Sequence, residues 1–268
     1  MDLGQLGFGV TGHLDEEVVR WLAPALEEAG FRTLWFNDIP GGDSLARVKL
    51  AAGITGRLRL GTGVIPLDRR PASEILAHVD ALELPPDRLV LGVGSGGTKG
   101  RAGVALVERE LPALKAGYAG PVIVGALGPR MRRVGAQEGD GLLLNWLTPE
   151  TAREAQEDMR RDASAVPGAN PTLVTYVRVA LGEAARPVLE AEAARYGEIP
   201  GYKANLARLG IWAIDAAVYG TTPRAVQEGI AAYAGMADEV VIRAITAHES
   251  IDDYRRLIEA FLDEHVAG

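Results

Sequence analysis

The sequence predicts an α/β protein built as a closed (β/α)8 barrel, and three observations support this. Short apolar segments alternate with amphipathic helical segments along the whole chain. Eight such strand–helix units fit into 268 residues, the usual size of this barrel. Some strands are uninterrupted apolar runs, such as residues 122–124 and 142–144, and strands buried on both faces of a parallel sheet have this composition. An open doubly wound sheet is the alternative, and the count of eight favours the barrel.

The first unit shows the signals of both elements. Residues 6–10 form an apolar strand, and Asp15 is placed to cap the following helix, whose first turn carries Glu16 and Glu17. Gly30 is a natural end for this helix. The later strands are predicted, in order, at residues 33–36, 58–61, 89–93, 122–125, 142–144, 173–181 and 239–242.

We expect a single barrel domain over residues 1–268. No linker, charge block or internal repeat marks a boundary. The segment 187–220 is the least regular, and we expect it to add helices as an insertion before the eighth strand. An amphipathic helix ending near Leu262 follows that strand.

Composition excludes several classes of function. The net charge of −8 argues against nucleic acid or an anionic membrane as a partner. The absence of cysteine excludes disulfides and thiol catalysis, and we expect no metal site because no metal-binding spacing is present. The chain has no apolar run long enough to span a bilayer and no signal-peptide pattern at its start, so we expect a cytoplasmic protein.

In such a barrel, the loops that follow the strands build the active face. Here they carry few strong acids or bases, and this composition suits a large cofactor held through main-chain contacts. The loop residues are Thr11-Gly12-His13, Asn37-Asp38, Thr62-Gly63-Val64, Gly94-Ser95-Gly96-Gly97, Ala126-Leu127-Gly128-Pro129, Asn145-Trp146 and Arg243.

Two glycine clusters lie in these loops. Residues 92–97 contain G-x-G-x-x-G, but this follows the fourth strand rather than the first, so a Rossmann dinucleotide site is weakly indicated. After the fifth strand, Gly128 can cap a helix that begins at Pro129. The N–H groups of Arg130 and Met131 would then be free to face an anion. An ordinary strand-to-helix turn is an equally good interpretation.

The candidate acid–base residues are few. His13 and His248 follow the first and eighth strands and could reach the active face, although a structural or surface role is commoner for histidine. Asp38, at the end of the second strand, is the best-placed carboxylate, and capping the turn at residues 40–42 is its alternative role. The sequence has no serine-hydrolase motif.

Five segments together resemble the luciferase-like flavin or deazaflavin oxidoreductases, in particular the branch that uses coenzyme F-420. They are residues 34–38, 60–64, 88–96, 124–129 and 139–146, and they span much of the chain. The resemblance implies a luciferase-like TIM barrel with the cofactor at the carboxyl ends of the strands. It also implies a bulge on the third strand at Gly63 and Val64, often with a non-prolyl cis peptide, behind the cofactor ring.

The resemblance implies a set of cofactor contacts. The contacts to the ring would be Asp38, Gly63, Val64, Ser95 and Gly96, and those to the phosphate would be Leu127, Gly128 and Arg130. We expect Asp38 to orient the cofactor, and His13 or His248 to supply a proton. Apolar walls such as Trp35, Ile65 and Trp146 would exclude water from the ring.

Two positions depart from the family pattern. Relatives that oxidise sugar phosphates have a histidine and a glutamate where this chain has Ile39 and Gly97, so a general base is missing there. This disfavours alcohol oxidation. Hydride transfer to an activated alkene or imine asks less of the protein, because the cofactor carries the chemistry.

The main hypothesis is therefore hydride transfer between coenzyme F-420 and a small organic substrate. An FMN-dependent monooxygenase or reductase of the same fold is one alternative, and a non-catalytic flavin-binding subunit is another. A cofactor-free barrel such as a phosphosugar isomerase would need a stronger acid–base pair. Family habit further suggests a homodimer.

Overall fold

The computed structural model describes residues 2–262 and forms a closed parallel barrel. The strands are β1 (Leu6–Thr11), β2 (Thr33–Asn37), β3 (Arg59–Thr62), β4 (Ile65–Pro66), β5 (Leu89–Gly94), β6 (Val122–Gly125), β7 (Gly141–Asn145), β8 (Thr172–Leu181), β9 (Ala217–Gly220) and β10 (Glu239–Ile245). Their order is β10-β1-β2-β3-β5-β6-β7-β8, and the β8–β10 pairing closes the ring. The predicted (β/α)8 barrel is thus confirmed.

Two short strands were not predicted. β4 pairs with β5 beyond the end of β3, and β9 pairs with the last four residues of β8. Both lie outside the closed ring of eight, so they add pairing only at the carboxyl ends of the strands.

Ten α-helices accompany these strands among the described residues. They are α1 (Glu16–Ala29), α2 (Ser44–Ala52), α3 (Ala72–Ala81), α4 (Gly100–Gly117), α5 (Pro129–Gln137), α6 (Pro149–Ala163), α7 (Arg186–Glu198), α8 (Pro200–Leu209), α9 (Pro223–Ala231) and α10 (Ile251–Leu262). Gly30 ends α1 in the left-handed conformation, as predicted, with φ +87°. Asp15 is the N-cap residue of α1, but its side chain makes no capping hydrogen bond, contrary to expectation.

The segment 187–220 holds most of α7, all of α8, a short 3-10 turn and β9. α7 and α8 pack against each other and cover Trp146, which follows β7. The insertion therefore covers one side of the carboxyl-terminal end of the barrel. Residue 1 and residues 263–268 lie outside the described part of the chain.

Two large aromatic side chains pack with aliphatic residues in the barrel interior. Trp35 and Tyr176 lie edge to face with ring centroids 6.2 Å apart. Glycines on neighbouring strands make room for them: a Cβ atom at Gly61 would lie 2.3 Å from the Trp35 ring, and one at Gly9 would lie 2.9 Å from the Tyr176 ring. These two glycines thus have a packing role.

No helix in residues 2–262 is both long enough and apolar enough to cross a lipid bilayer.

Candidate active site

The carboxyl-terminal mouth of the barrel is lined by polar side chains at the inward positions of the strands. Side chains alternate along a strand, so Trp35 and Asn37 share the inward face of β2, and Tyr176 and Arg178 share that of β8. Asn145 ends β7 and is the register partner of Tyr176. These residues form the uppermost part of the barrel interior, where ligands bind in folds of this kind.

The Val64 side chain forms the floor of the mouth, where it occupies the space left by Gly94 and Gly125. A Cβ atom added at Gly94 or Gly125 would lie 2.9 or 3.0 Å from the Val64 side chain, so only glycine leaves room for it there. The Gly63–Val64 peptide bond is cis, at the position that the family resemblance implies. Asn37 Nδ2 donates a hydrogen bond of 2.9 Å to the Gly63 carbonyl and holds this bulge against β2.

Three buried polar atoms near this floor have no hydrogen-bond partner among the described residues. They are Asn37 Oδ1, Asn145 Oδ1 and the Tyr176 hydroxyl. The hydroxyl lies beside Gly63, since a Cβ atom there would come within 2.3 Å of it. Burial raises the pKa of Tyr176 well above its ordinary value, so the hydroxyl keeps its proton. Unpaired buried polar groups are costly, and a polar ligand in the mouth would satisfy them.

Helices α7 and α8 form the wall of the mouth next to β7 and β8. Glu192 of α7 accepts a hydrogen bond of 3.0 Å from Arg178 Nε, and both side chains are buried. The Arg178 guanidinium stacks 4.0 Å from the centroid of the Trp146 ring. Tyr202 of α8 accepts a hydrogen bond of 3.3 Å from Asn145 Nδ2. The wall is therefore tied to the barrel by charge, stacking and hydrogen bonding.

The amino-terminal end of α5 has the geometry that the sequence predicts. Gly128 is the N-cap residue and Pro129 the first helical residue, and no side chain caps this end. Arg130 is exposed, whereas Arg132 is buried and donates a hydrogen bond of 3.0 Å to the Leu127 carbonyl. Burial and then the positive charge of Arg208 lower the pKa of Arg132 to about 10, so it stays charged at neutral pH. This helix start offers free N–H groups and a buried cation to an anion.

The Asp38 carboxylate is paired with other side chains of the protein. Its carboxylate accepts hydrogen bonds of 2.8 Å from Ser44 Oγ and 3.1 Å from Arg69 Nη2, and its side chain is only 6% exposed. Since side chains alternate along β2, the inward residue is its neighbour Asn37. The structure thus places Asp38 where it fixes the start of α2 and the loop that carries Arg69.

The other predicted ring contacts and both histidines lie around the rim. His13 is exposed and its Nε2 is 2.9 Å from the Pro40 carbonyl oxygen, and His248 is exposed in the loop after β10.

Ser95 is half-buried and contacts the first turn of α4 at Gly103. Gly96 is exposed with φ +61°, which explains glycine there. The structure does not bring the histidines together with the floor at Val64.

The prediction that Trp35, Ile65 and Trp146 form apolar walls around the ring is wrong for Trp35 and Ile65. Trp35 lies deep in the barrel and donates a hydrogen bond of 2.7 Å to Glu239 Oε1, at the amino-terminal end of β10. Ile65 faces outward and packs in the helix-covered core with its β5 partner Val93. Trp146 does lie at the carboxyl end, but α7 and α8 cover it.

A cavity of about 790 Å³ opens at the opposite, amino-terminal end of the barrel. Four of its charged groups form two ion pairs: Arg32 lies 3.5 Å from Glu239, and Lys115 pairs with Asp140. No unpaired buried side-chain atom was found among its described lining residues. The candidate active site is therefore the carboxyl-terminal mouth, where barrel enzymes carry their chemistry.

Sequence reasoning did not single out several residues that line the mouth. Asn37 and Asn145 are predicted to lie in the active-face loops but are given no contact, whereas Tyr176 and Arg178 are not predicted to lie there. At the start of α5 the prediction names Arg130 and not Arg132. Period-two alternation could have found the first four, because each follows an inward apolar or aromatic position by two or four residues. Among residues 2–262, no three His, Asp or Glu side chains group as a metal site would require.

Comparison with known proteins agrees with this geometry. The family model described as luciferase-like monooxygenase matches residues 11–110 and 103–261. The chain belongs to this family. The resemblance to the luciferase-like family is thereby confirmed.

Solved structures with the same luciferase-like barrel include proteins that use different cofactors. The coenzyme F-420-dependent tetrahydromethanopterin reductase from Methanopyrus kandleri is 15% identical over 97% of both chains, with a TM-score of 0.72. The monooxygenase RslO1 from Streptomyces bottropensis is 18% identical over 97% of this chain and 98% of its own, with a TM-score of 0.71. The oxygenating constituent of 3,6-diketocamphane monooxygenase from Pseudomonas putida, in complex with FMN, is 12% identical over 97% of both chains, with a TM-score of 0.72. At these identities the likeness shows the shared fold.

Proposed function

We propose that this luciferase-like protein is an oxidoreductase that transfers a hydride between coenzyme F-420 and a small organic substrate. One observation carries the proposal: at the mouth of the barrel, where Val64 forms the floor, three buried polar atoms have no hydrogen-bond partner among residues 2–262. A planar ring with polar edges would donate hydrogen bonds to the two amide oxygens, and the nearby start of α5 would bind an anionic tail. F-420 dependence in a structural neighbour and the sequence resemblance support the deazaflavin.

The residues present fit such a cofactor. When bound, the deazaflavin would supply the hydride chemistry. Val64 would support the face of the ring from the floor of the mouth, and Asn37 Oδ1 and Asn145 Oδ1 would accept hydrogen bonds from its polar edge. The protonated Tyr176 hydroxyl lies beside Gly63, so it would face the ring and could donate to a group bound against it. The main-chain N–H groups at the start of α5 and the Arg132 guanidinium would bind the phosphate.

Catalytic roles for Asp38, His13 and His248 remain predictions. Asp38 already has two protein partners, and both histidines are exposed. We expect Asp38 to act on the cofactor only through the position of its β2 neighbour. A homodimer and a cytoplasmic location are further parts of the proposal, and they rest on the sequence resemblance and on composition.

The alternative is an FMN-dependent monooxygenase of the same fold, and the monooxygenases among the structural neighbours favour it. Titration of the purified protein with F-420 and with FMN decides between the two cofactors. We expect tighter binding of F-420, and tight binding of FMN alone would overturn the deazaflavin. Binding without oxidation of the reduced cofactor by a panel of enones and imines would favour a non-catalytic flavin-binding subunit.

Replacing Arg132 with methionine should weaken cofactor binding by about tenfold or more, because a charge-assisted hydrogen bond to phosphate is lost. The matched control is Arg59→Met, since Arg59 lines the cavity at the other end of the barrel. Both variants are titrated with F-420 and FMN by following cofactor fluorescence. If Arg59→Met weakened binding and Arg132→Met did not, the phosphate site would be at the wrong end of the barrel.

A further inference from the structure

Two buried arginines lie side by side in the mouth, and the inference from them rests on the proposed function because it concerns the substrate of that same site. Arg178 on β8 and Arg243 on β10 are register partners in adjacent strands. They are 2% and 7% exposed. Each follows an interior residue by two positions, so both belong to the inward face of the barrel.

The charges in this corner do not balance. Glu192 is the acid that pairs with Arg178, and the Nη1 atom of Arg178 has no hydrogen-bond partner among residues 2–262. Arg243 forms no ion pair within that range, and its guanidinium donates to the carbonyl of Ala244 on its own strand. Two guanidinium groups and one carboxylate leave one net positive charge. A buried charge without a counter-ion is costly, and a bound anion would offset that cost.

Tyr176 adds a neutral donor to the same corner. It precedes Arg178 by two residues on β8, and its buried hydroxyl has no partner among the described residues. The charges of Arg178 and Arg243 both act on this hydroxyl. The hydroxyl also lies beside Gly63, so the donors adjoin the floor where the cofactor ring is proposed.

We propose that Arg178, Arg243 and Tyr176 form a subsite for an anionic group of the substrate, and that the substrate is a small molecule bearing a carboxylate. A carboxylate carries one negative charge, which matches the single excess positive charge. Its two oxygens also suit the planar fork of a guanidinium. A phosphate dianion matches this corner less well, and the start of α5 offers phosphate a separate place.

Binding of a matched pair of probes tests the subsite. Cinnamate carries a carboxylate, and cinnamamide has nearly the same shape without the charge. Isothermal titration of the protein, with and without F-420, should show at least tenfold tighter binding of cinnamate. The ratio of the two dissociation constants, cinnamamide over cinnamate, should fall close to one in Arg243→Met and be partly kept in Arg243→Lys. Arg224→Met, on the exposed face of α9, is the control and should keep the wild-type ratio.

Several outcomes would overturn the proposal. One is equal affinity of the wild-type protein for the two probes. Another is an Arg243→Met variant that loses tenfold in F-420 affinity and keeps the cinnamate preference, because the positive charge would then serve the cofactor. If circular dichroism shows that Arg243→Met does not fold, Tyr176→Phe replaces it, and an unchanged ratio there would contradict the subsite.

The same titrations separate this inference from the proposed function. A protein that binds neither F-420 nor FMN, yet keeps an Arg243-dependent preference for cinnamate, would contradict the proposed function and support the subsite. A protein that binds F-420 but has equal affinity for cinnamate and cinnamamide would support the proposed function and contradict the subsite.

Discussion

Replacing Glu192 with glutamine should lower the free energy of unfolding by about 3 kcal/mol at pH 7, because removing one partner leaves a buried charge uncompensated. The Arg178–Glu192 pair is almost completely buried, with side chains 3% and 14% exposed. It also connects α7 to β8, so its loss should loosen the wall of the mouth. The variant keeps the size of the side chain, which separates the effect of charge from that of packing.

The effect should depend on pH. Burial alone would raise the pKa of Glu192, but the charges of Arg178 and Arg243 outweigh burial and hold the pKa below its ordinary value. A carboxylate with a lowered pKa in the folded state stabilises the protein above its unfolded pKa. That stabilisation is lost as the pH falls through the folded value. The loss of unfolding free energy caused by Glu192→Gln should therefore be largest at neutral pH and become smaller in acid.

Urea unfolding at several pH values from neutral to acid measures both effects. The control is Glu228→Gln, which removes the acid of an exposed pair on α9 and should change little, since exposed ion pairs contribute little to stability. If the loss of unfolding free energy in Glu192→Gln stayed constant with pH, the charge of Glu192 would not be what stabilises this wall.

Replacing Gly61 with alanine should destabilise the barrel by about 3 kcal/mol, at the upper end of ordinary overpacking. The added Cβ atom would lie 2.3 Å from one atom of the Trp35 ring and 2.5 Å from another. The ring cannot move away freely, because its Nε1 atom is hydrogen-bonded to Glu239 and the surrounding strands form a closed cylinder.

The matched control is Gly197→Ala on α7. Apart from its own neighbouring helix backbone, no atom of residues 2–262 lies within 4 Å of a Cβ atom there, so alanine should be neutral or slightly stabilising in a helix. Thermal unfolding of both variants gives the comparison. In a Trp35→Leu background the cost of Gly61→Ala should shrink, since the clashing ring is gone. An undiminished cost would mean that Gly61 is required for another reason.

Much of the fold could be predicted because its signals are local. Apolar runs marked all eight strands of the ring, and Gly30 and Gly128 marked helix boundaries correctly. Arg243 interrupts the apolar run, so the sequence predicts that the eighth strand ends at residue 242. The strand in fact continues to Ile245. A buried charge is rare in a strand interior, so composition alone argued for an earlier end.

The candidate site was harder to predict because its contacts are distant in sequence. Glu192 reaches Arg178 from another element, and Arg69 reaches Asp38 across 31 residues. No local pattern shows that Asp38 is already occupied by Arg69 and Ser44. The start of α5 was predictable from capping rules, but the burial of Arg132 rather than Arg130 depends on how α5 packs.

The central claim is that the carboxyl-terminal mouth binds the cofactor ring over Val64 and its phosphate at the start of α5. A crystal structure of the protein with F-420 tests this most directly. We predict that the ring lies against Val64 and that the phosphate accepts hydrogen bonds from the main-chain N–H groups of Arg130 and Met131. A cofactor bound instead in the amino-terminal cavity, beside Arg59 and Lys115, would contradict the account.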